Sequence, residues 1–418
     1  MDLNDQFSMS PRKFLFIHPN FPGQFLHVAR RLVESGHEVV GVGEVGNLRR
    51  QAKMVPGVKL IGYKMPPPAN AAYPHVRGLE NDSQRGRATL RVCQALKRDG
   101  FEPEVIAGHT GWGDLLFLRE LFPSMRISGY FEYFYRPAGA DIGFDPEFPD
   151  TLENRLEVRM KNSTAFLTWP ECDAHWTPTR WQASLFPPEL RERLHIQHEG
   201  IDTEKLRPDL QAKVRLPDGS CFAAGEEILT FVNRGMEPYR GVHIFLRALP
   251  EILSRRPQTR VLVIGQPGET PYGNNPKNGG TWQERLLREA GGRIDLSRVH
   301  FLGRVTHEAF VKILQLSRVH VYLTYPYFLS WSMLEAMSAG CLVIGSSTPP
   351  VTEFLEHEKN GLLVDFFDIP GLADRVCEAL EKPEKFAPLR AAARQRIIEQ
   401  LDLKTLCVPA LVRLFEGR

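Results

Sequence analysis

The stretch KFLFIHPNFPGQFLHVARRLVESGHEVVGVG, Lys13 to Gly43, reads as one complete strand–helix–strand unit. The apolar burst FLFI ends at His18-Pro19, as a short buried strand would. GQFLHVARRLVES then carries apolar residues at helical spacing, Gly36 stops the helix, and HEVVGVG is again strand-like. A strand followed by a helix and another strand argues for parallel sheet with helices on its faces.

The same alternation continues outward. PEVIAGH leads into GWGDLLFLRELF and then RISGYFEYFY. A second series starts near Glu227, with EILTFVNRG as strand, GVHIFLRALPEILSRR as helix and TRVLVIGQ as strand. HEAFVKILQLS, RVHVYLTY and CLVIGSS extend it. Between the series lies LRPDLQAKVRLPDGSCFAAGEE, whose PDGS predicts a hairpin turn on the linker or at the edge of the second sheet. The expected architecture is therefore α/β, with two doubly wound Rossmann-like domains, 1–210 and 211–400. Ligands of such sheets sit beyond the carboxyl ends of the strands, so two facing halves would enclose a cleft.

Composition narrows the function classes. The chain has 418 residues, 24% of them charged, with a formal net charge of +2. That balance gives no support for nucleic-acid binding, which needs a strongly basic face. Local basic patches leave room for a weak peripheral membrane contact. The six cysteines form no C-x-x-C pair, which reads as reduced thiols in a cytoplasmic protein. No apolar stretch reaches the ~18 residues of a membrane span, and the start of the chain reads as a strand rather than a secretory leader.

Some motifs are weaker than they look. GVGEVG, Gly41 to Gly46, fits G-x-G-x-x-G, but it follows the second strand, opens no convincing amphipathic helix, and meets Pro66 where an acid is needed. His195 and His198 have metal-like spacing without a third ligand, and read as structural. GETPYGNNPKNGGTWQ, Gly268 to Gln283, is a long polar loop of the kind that is either functional or plain surface.

TYPYFLSWSMLEAMSAG, Thr324 to Gly340, sets Glu335 in an apolar run. On a helix beginning near Ser330, the residues Ser332, Glu335 and Ser338 share one side. Such a stripe fits a ligand crevice, with the helix amides for phosphate and Glu335 for ribose hydroxyls. A core carboxylate bonded to amides or an arginine fits equally. FVNRGMEPYRG adds Arg234 at a strand end and Arg240 in the next turn, a pair suited to a diphosphate or to solvent-side partners.

FLGRVTHEAFVKILQLSRVHVYLTYPYFLSWSMLEAMSAGCLVIGSSTPPVTEFLEHEKNGLLV resembles the donor half of glycosyltransferase family 4, retaining enzymes of the GT-B fold. RGMEPYRG resembles that family's Arg-to-Lys diphosphate motif, with Arg240 in the lysine place. HIQHEGIDTEKLRP resembles its interdomain segment, with Glu199 in the asparagine place. GQFLHVARRLVESGHEV resembles its first helix and second strand, PEVIAGH the strand ending in its active-site histidine, here His109, and DLKTLCVPALVRLF the helix, within 401–418, that closes the first domain. Three departures stand out. Tyr327 replaces the first glutamate of Glu-x7-Glu, Phe328 and Ser330 replace the glycines after it, and HPNFPGQ offers only Gly23 with Gln24 where paired glycines are usual.

The resemblance implies a nucleotide-sugar donor, a UDP-sugar foremost, and a glycan, lipid-linked or small-molecule acceptor, with no nucleic acid. His109, Arg234, Arg240 and Glu335 would be catalytic. Tyr327, Leu329, Ser330, Trp331, Ser332, Gly265 and Val305 would bind the donor; Gly23, Gln24, His18 and Glu132 would lie at the acceptor loop. GT-B enzymes need no metal or other cofactor, and no Asp-x-Asp occurs in the chain. The arginines and helix amides would instead stabilise the leaving diphosphate, at roughly 3–4 kcal/mol each. A non-catalytic nucleotide-sugar-binding partner protein and a nucleotide-sugar 2-epimerase are the alternatives, and the expected location is the cytoplasm or the cytoplasmic face of the membrane.

Overall fold

The structure, a computed structural model, describes residues 10–71 and 73–417. The expectation that no leader precedes the first strand rests partly on residues 1–9, outside that range. The chain divides into two compact units, one running to Gly200 and resuming at Leu403, the other Ile201–Asp402.

In the first unit seven parallel strands form one sheet. They are β1 (Lys13–Ile17), β2 (Glu38–Glu44), β3 (Lys59–Tyr63), β4 (Val105–His109), β5 (Arg126–Tyr130), β6 (Ala174–Thr177) and β7 (Leu194–Ile196), in the order β3-β2-β1-β4-β5-β6-β7. β1 pairs β2 on one side and β4 on the other, so the chain reverses direction of winding at β1. Both faces are buried, as the unbroken apolar strands require. Phe14, Phe16, Phe25, Val28 and Leu32 form a core with Leu411 and Phe415 of the closing helix Val408–Glu416. Phe415 lies edge-on to Phe16 at 5.9 Å, and its carbonyl accepts from Arg126 Nε at 3.0 Å.

In the second unit β8 (Lys213–Arg215) and β9 (Cys221–Ala223) pair antiparallel, with the PDGS turn between them. They form a separate two-stranded sheet rather than an edge of the larger one. That larger sheet comprises β10 (Ile228–Gly235), β11 (Arg260–Gln266), β12 (Val299–Phe301), β13 (Val319–Tyr322), β14 (Leu342–Ser346) and β15 (Leu362–Val364), ordered β12-β11-β10-β13-β14-β15. All its pairings are parallel, and winding reverses at β10. Residues 201–208, placed with the first domain by the expected boundary at 210, are bound into this unit. Ser338 Oγ and Arg394 Nη1 both donate to the Leu206 carbonyl, at 2.6 and 2.9 Å.

A short helix, Val45–Gln51, does follow β2, contrary to the reading of GVGEVG. Its amides at Gly46 and Asn47 are taken by the Glu44 carboxylate at 2.8 Å, which leaves a phosphate little to bind there. GYFEYFYRP leaves the sheet at Tyr130, so Glu132 stands on the segment beyond the strand, not within it. The cysteines are free thiols and only Cys221 is exposed. No helix among the described residues is long and apolar enough to cross a membrane.

A buried acid in the first unit predicts the pH response of stability. Asp114 is fully buried, with Oδ1 accepting from Tyr63 Oη at 2.7 Å and Thr89 Oγ1 at 3.0 Å. Its Oδ2 has no hydrogen-bond partner among the described residues, and burial pushes the carboxyl up to about 6. The folded chain thus holds this proton more tightly than the unfolded one. The resulting stability is present below the unfolded pKa and is lost as pH rises through about 6. Asp114→Asn should therefore gain on the wild type by about 2–3 kcal/mol between pH 4 and 8. Parallel urea-denaturation curves across that range would contradict the assignment.

Candidate active site

In the first unit the residues expected at the acceptor loop converge with His109 at the carboxyl ends of the central strands. His109 ends β4 and is 4% exposed. Its Nδ1 accepts from the Gly111 amide at 3.0 Å, which leaves the ring proton on Nε2, 3.2 Å from Glu132 Oε2. Gln24 Nε2 donates to the other oxygen, Glu132 Oε1, at 3.1 Å. His18, just past β1, lies perpendicular to His109 with ring centroids 5.4 Å apart, and its Nδ1 accepts from the Asn20 amide. Burial first, and His109 second, hold the His18 imidazole well below its ordinary pKa, so it is neutral. Gly23 closes against that ring: its φ is +48°, and a Cβ would lie 3.0 Å from His18 Nε2.

Two further residues, Tyr130 and Glu199, join this group. Tyr130 Oη donates to Glu199 Oε1 at 2.8 Å, and Tyr130 stacks edge-on to His109 at 5.2 Å. His198 is buried with Nδ1 accepting from Gly200, and burial takes it down to about 4, in keeping with a structural role. His195 lies on the edge strand β7.

In the second unit the helix Trp331–Ala339 begins with Ser330 as its cap. Ser330 Oγ accepts from the Ser332 amide and hydroxyl, and the Ser330 amide donates to Tyr322 Oη at 2.8 Å. Glu335 is half-buried, its side chain 14% exposed, with Oε1 3.7 Å from His307 Nε2. His307 opens the helix His307–Leu316 and meets Lys205 Nζ at 3.1 Å through Nδ1, a contact no motif signalled. The expected polar stripe is broken at Ser338, which is fully buried against Leu206 rather than facing a crevice. Leu329, Trp331 and Val305 are half-buried, and the Gly265 amide donates to the Gly303 carbonyl at 3.0 Å.

The two arginines part company. Arg234 is the penultimate residue of β10, its side chain 66% exposed and 3.8 Å from Glu269 Oε2. Arg240 is 3% exposed, and its Nη1 donates to Thr324 Oγ1 at 2.8 Å, the Phe328 carbonyl at 3.0 Å and Tyr322 Oη at 3.3 Å. Its guanidinium also lies 4.9 Å from the Tyr272 ring and 5.4 Å from that of Phe328. Tyr327 is buried in the same aromatic group, 4.1 Å from Phe328 and 5.4 Å from Tyr272. Glu237, which sequence reasoning passed over, is fully buried. It accepts from the Gly273 amide at 2.7 Å and the Tyr272 amide at 3.2 Å, and burial pushes it up to about 7. A surface groove of about 600 Å³ between residues 204–210 and the helix His307–Leu316 is lined by none of the expected site residues.

Comparison with known proteins covers both units. Residues 35–206 match the family described as glycosyl transferase family 4 group, and residues 218–396 that described as glycosyl transferases group 1. Over 295 residues, 68% of this chain and 70% of the relative, the sequence is 26% identical to a GDP-mannose-dependent alpha-(1-6)-phosphatidylinositol monomannoside mannosyltransferase of Mycobacterium tuberculosis. Among solved structures, Anabaena Alr3699/HepE in complex with UDP-glucose aligns with a TM-score of 0.66 at 14% identity, covering 97% of this chain and 100% of that one. Sucrose-phosphate synthase from Thermosynechococcus elongatus aligns with a TM-score of 0.69 at 16% identity, covering 97% and 98%.

Proposed function

Because the chain belongs to the group 1 glycosyltransferases and has their GT-B α/β fold, we propose that it moves a hexosyl group from a nucleotide-diphosphate sugar to an acceptor hydroxyl with retention. The observation that carries the donor assignment is Glu335. It is the only charged residue of the helix Trp331–Ala339, left 14% exposed one turn beyond a cap that follows β13. A carboxylate there accepts from ribose hydroxyls, while the amides at the helix start suit the phosphates.

In the proposed reaction the bond from the sugar's anomeric carbon to the diphosphate breaks through an oxocarbenium-like state. The acceptor oxygen bonds to the same face, and its proton goes to the departing phosphate. Metal independence belongs to this reading, supported by the exposed arginines near the strand ends and the lack of any Asp-x-Asp. A glycan or lipid-linked acceptor is supported by the name of the mannosyltransferase relative, which includes a phosphatidylinositol monomannoside. A UDP-sugar is the first donor expectation; GDP-mannose is the second, favoured by that same relative.

A thermal-shift panel of UDP, GDP, ADP and their sugars, with and without chelator, tests the donor. The true nucleotide at a hundredfold excess over its dissociation constant should stabilise the chain by about 2.7 kcal/mol. Glu335→Ala should weaken that response, and transfer should survive the chelator. An unchanged shift in Glu335→Ala removes the nucleoside role, and transfer that returns only with added magnesium removes metal independence.

A further inference from the structure

Glu269 is paired with both Arg234 and Arg304. On the sugar-nucleotide reading above, we propose that Glu269 is a built-in stand-in for the donor diphosphate, held between Arg234 and Arg304, and that these two arginines grip the anion when it displaces the carboxylate.

The sheet order explains the arrangement. β12, β11 and β10 are neighbours, and Glu269 stands three residues past the end of β11, the middle strand. Arg234 lies at the end of β10 and Arg304 three residues past β12, on the two flanking strands. Arg234 Nε is 3.8 Å from Glu269 Oε2, and Arg304 Nη2 donates to Glu269 Oε1. Two guanidiniums from separate strands thus converge on one carboxylate, at the end of a parallel sheet where ligands bind. Arg240, by contrast, is buried with Nη1 committed to Tyr322, Thr324 and Phe328.

The carboxylate is held weakly and its loop firmly, as a displaceable stand-in requires. The arginine side chains are 66% and 68% exposed and that of Glu269 is 35% exposed, so these ion pairs are screened and contribute little. The loop has other anchors. The amides of Tyr272 and Gly273 donate to buried Glu237. The backbone of Glu269 also approaches Gly235 so closely that a Cβ there would lie 2.2 Å from its carbonyl oxygen. Swinging the Glu269 side chain aside therefore opens the arginine pair without undocking the loop. A diphosphate brings more charge and bidentate geometry to the same donors.

The test is calorimetric titration of the full chain with sodium pyrophosphate, UDP and GDP, using wild type, Glu269→Gln, Glu269→Ala and the double variant Glu269→Gln/Arg304→Gln. Release of one or two exposed ion pairs should tighten pyrophosphate binding about three- to tenfold in both Glu269 variants. The gain should vanish in the double variant, with melting temperatures unchanged. Pyrophosphate binding that is no tighter in either single variant, absent throughout, or still tightened without Arg304 overturns the inference. The nucleotide arms separate it from the donor reading. Tightened pyrophosphate with no response to UDP or GDP upholds the arginine pair and removes the UDP- and GDP-sugar donors; nucleotide binding indifferent to Glu269 does the reverse.

Discussion

Arg240→Met is expected to lower stability by about 3–5 kcal/mol and to slow sugar transfer at least about a hundredfold, although Arg240 scarcely reaches solvent. The reason is the number of groups one guanidinium nitrogen satisfies. Without Nη1 the Thr324 hydroxyl and the Phe328 carbonyl lose a donor in a dry environment. Glu237, fully buried, loses the cation that most favours its charged form. Each stranded polar group costs about 1–3 kcal/mol, and a buried charge without its partner costs more. The rate effect follows from position. Tyr322 Oη accepts from Arg240 at 3.3 Å and from the Ser330 amide at 2.8 Å, so the arginine indirectly holds the cap of the Glu335 helix.

Arg240→Lys, which restores the residue usual in the family at this place, should fall between the two. It keeps a cation near Glu237 but cannot reproduce the planar fork. Urea midpoints and steady-state rates for the three proteins check the assignment. A Met variant within about 1 kcal/mol of wild type, with transfer within about threefold, would show that the loop orders itself without the arginine.

The strand–helix alternation was enough to expect two parallel sheets, because strands buried on both faces read as unbroken apolar runs such as FLFI and VLVI. The cap at Ser330 and the PDGS hairpin were local signals of the same sort, decided within a few residues. Glu237 was not legible. MEPYRG looks like an ordinary turn, and only the return of residues 272–273 from a distant loop makes its acid a buried anchor. Arg234 and Arg304 both meet Glu269 only because β11 lies between β12 and β10. Ser338 was misread for a related reason: its helix face was right, but the segment that covers it, at Leu206, is far away in sequence. In the first unit the family motif pointed to His109, while its bond to Glu132 joins residues 23 positions apart from different strand ends.

That bond decides what His109 does. His109→Ala is expected to cut the rate of transfer about a hundred- to a thousandfold while leaving nucleotide affinity within about twofold of wild type. The ring is too enclosed, and too fully bonded, to act as a free base. Its Nδ1 is occupied by the Gly111 amide, and its Nε2 proton is aimed at Glu132. Glu132 keeps 23% of its side chain exposed against 5% for His109, so the carboxylate is the better placed of the two to meet a sugar hydroxyl. Gln24 holds the second carboxylate oxygen, and Gln182 Nε2 holds the Glu132 backbone carbonyl at 2.5 Å. His109 is in this reading a positioning residue that sets the orientation of Glu132, and its loss should raise the acceptor KM as well as lower kcat. His109→Gln, which can still donate toward Glu132, should recover part of the rate, whereas Glu132→Gln should resemble His109→Ala. The nucleotide contacts proposed at Glu335 belong to the other unit, so a product-nucleotide titration separates this effect from general damage. Transfer by His109→Ala within about fivefold of wild type, or a Gln variant no better than Ala, would dismiss the Glu132-orienting role.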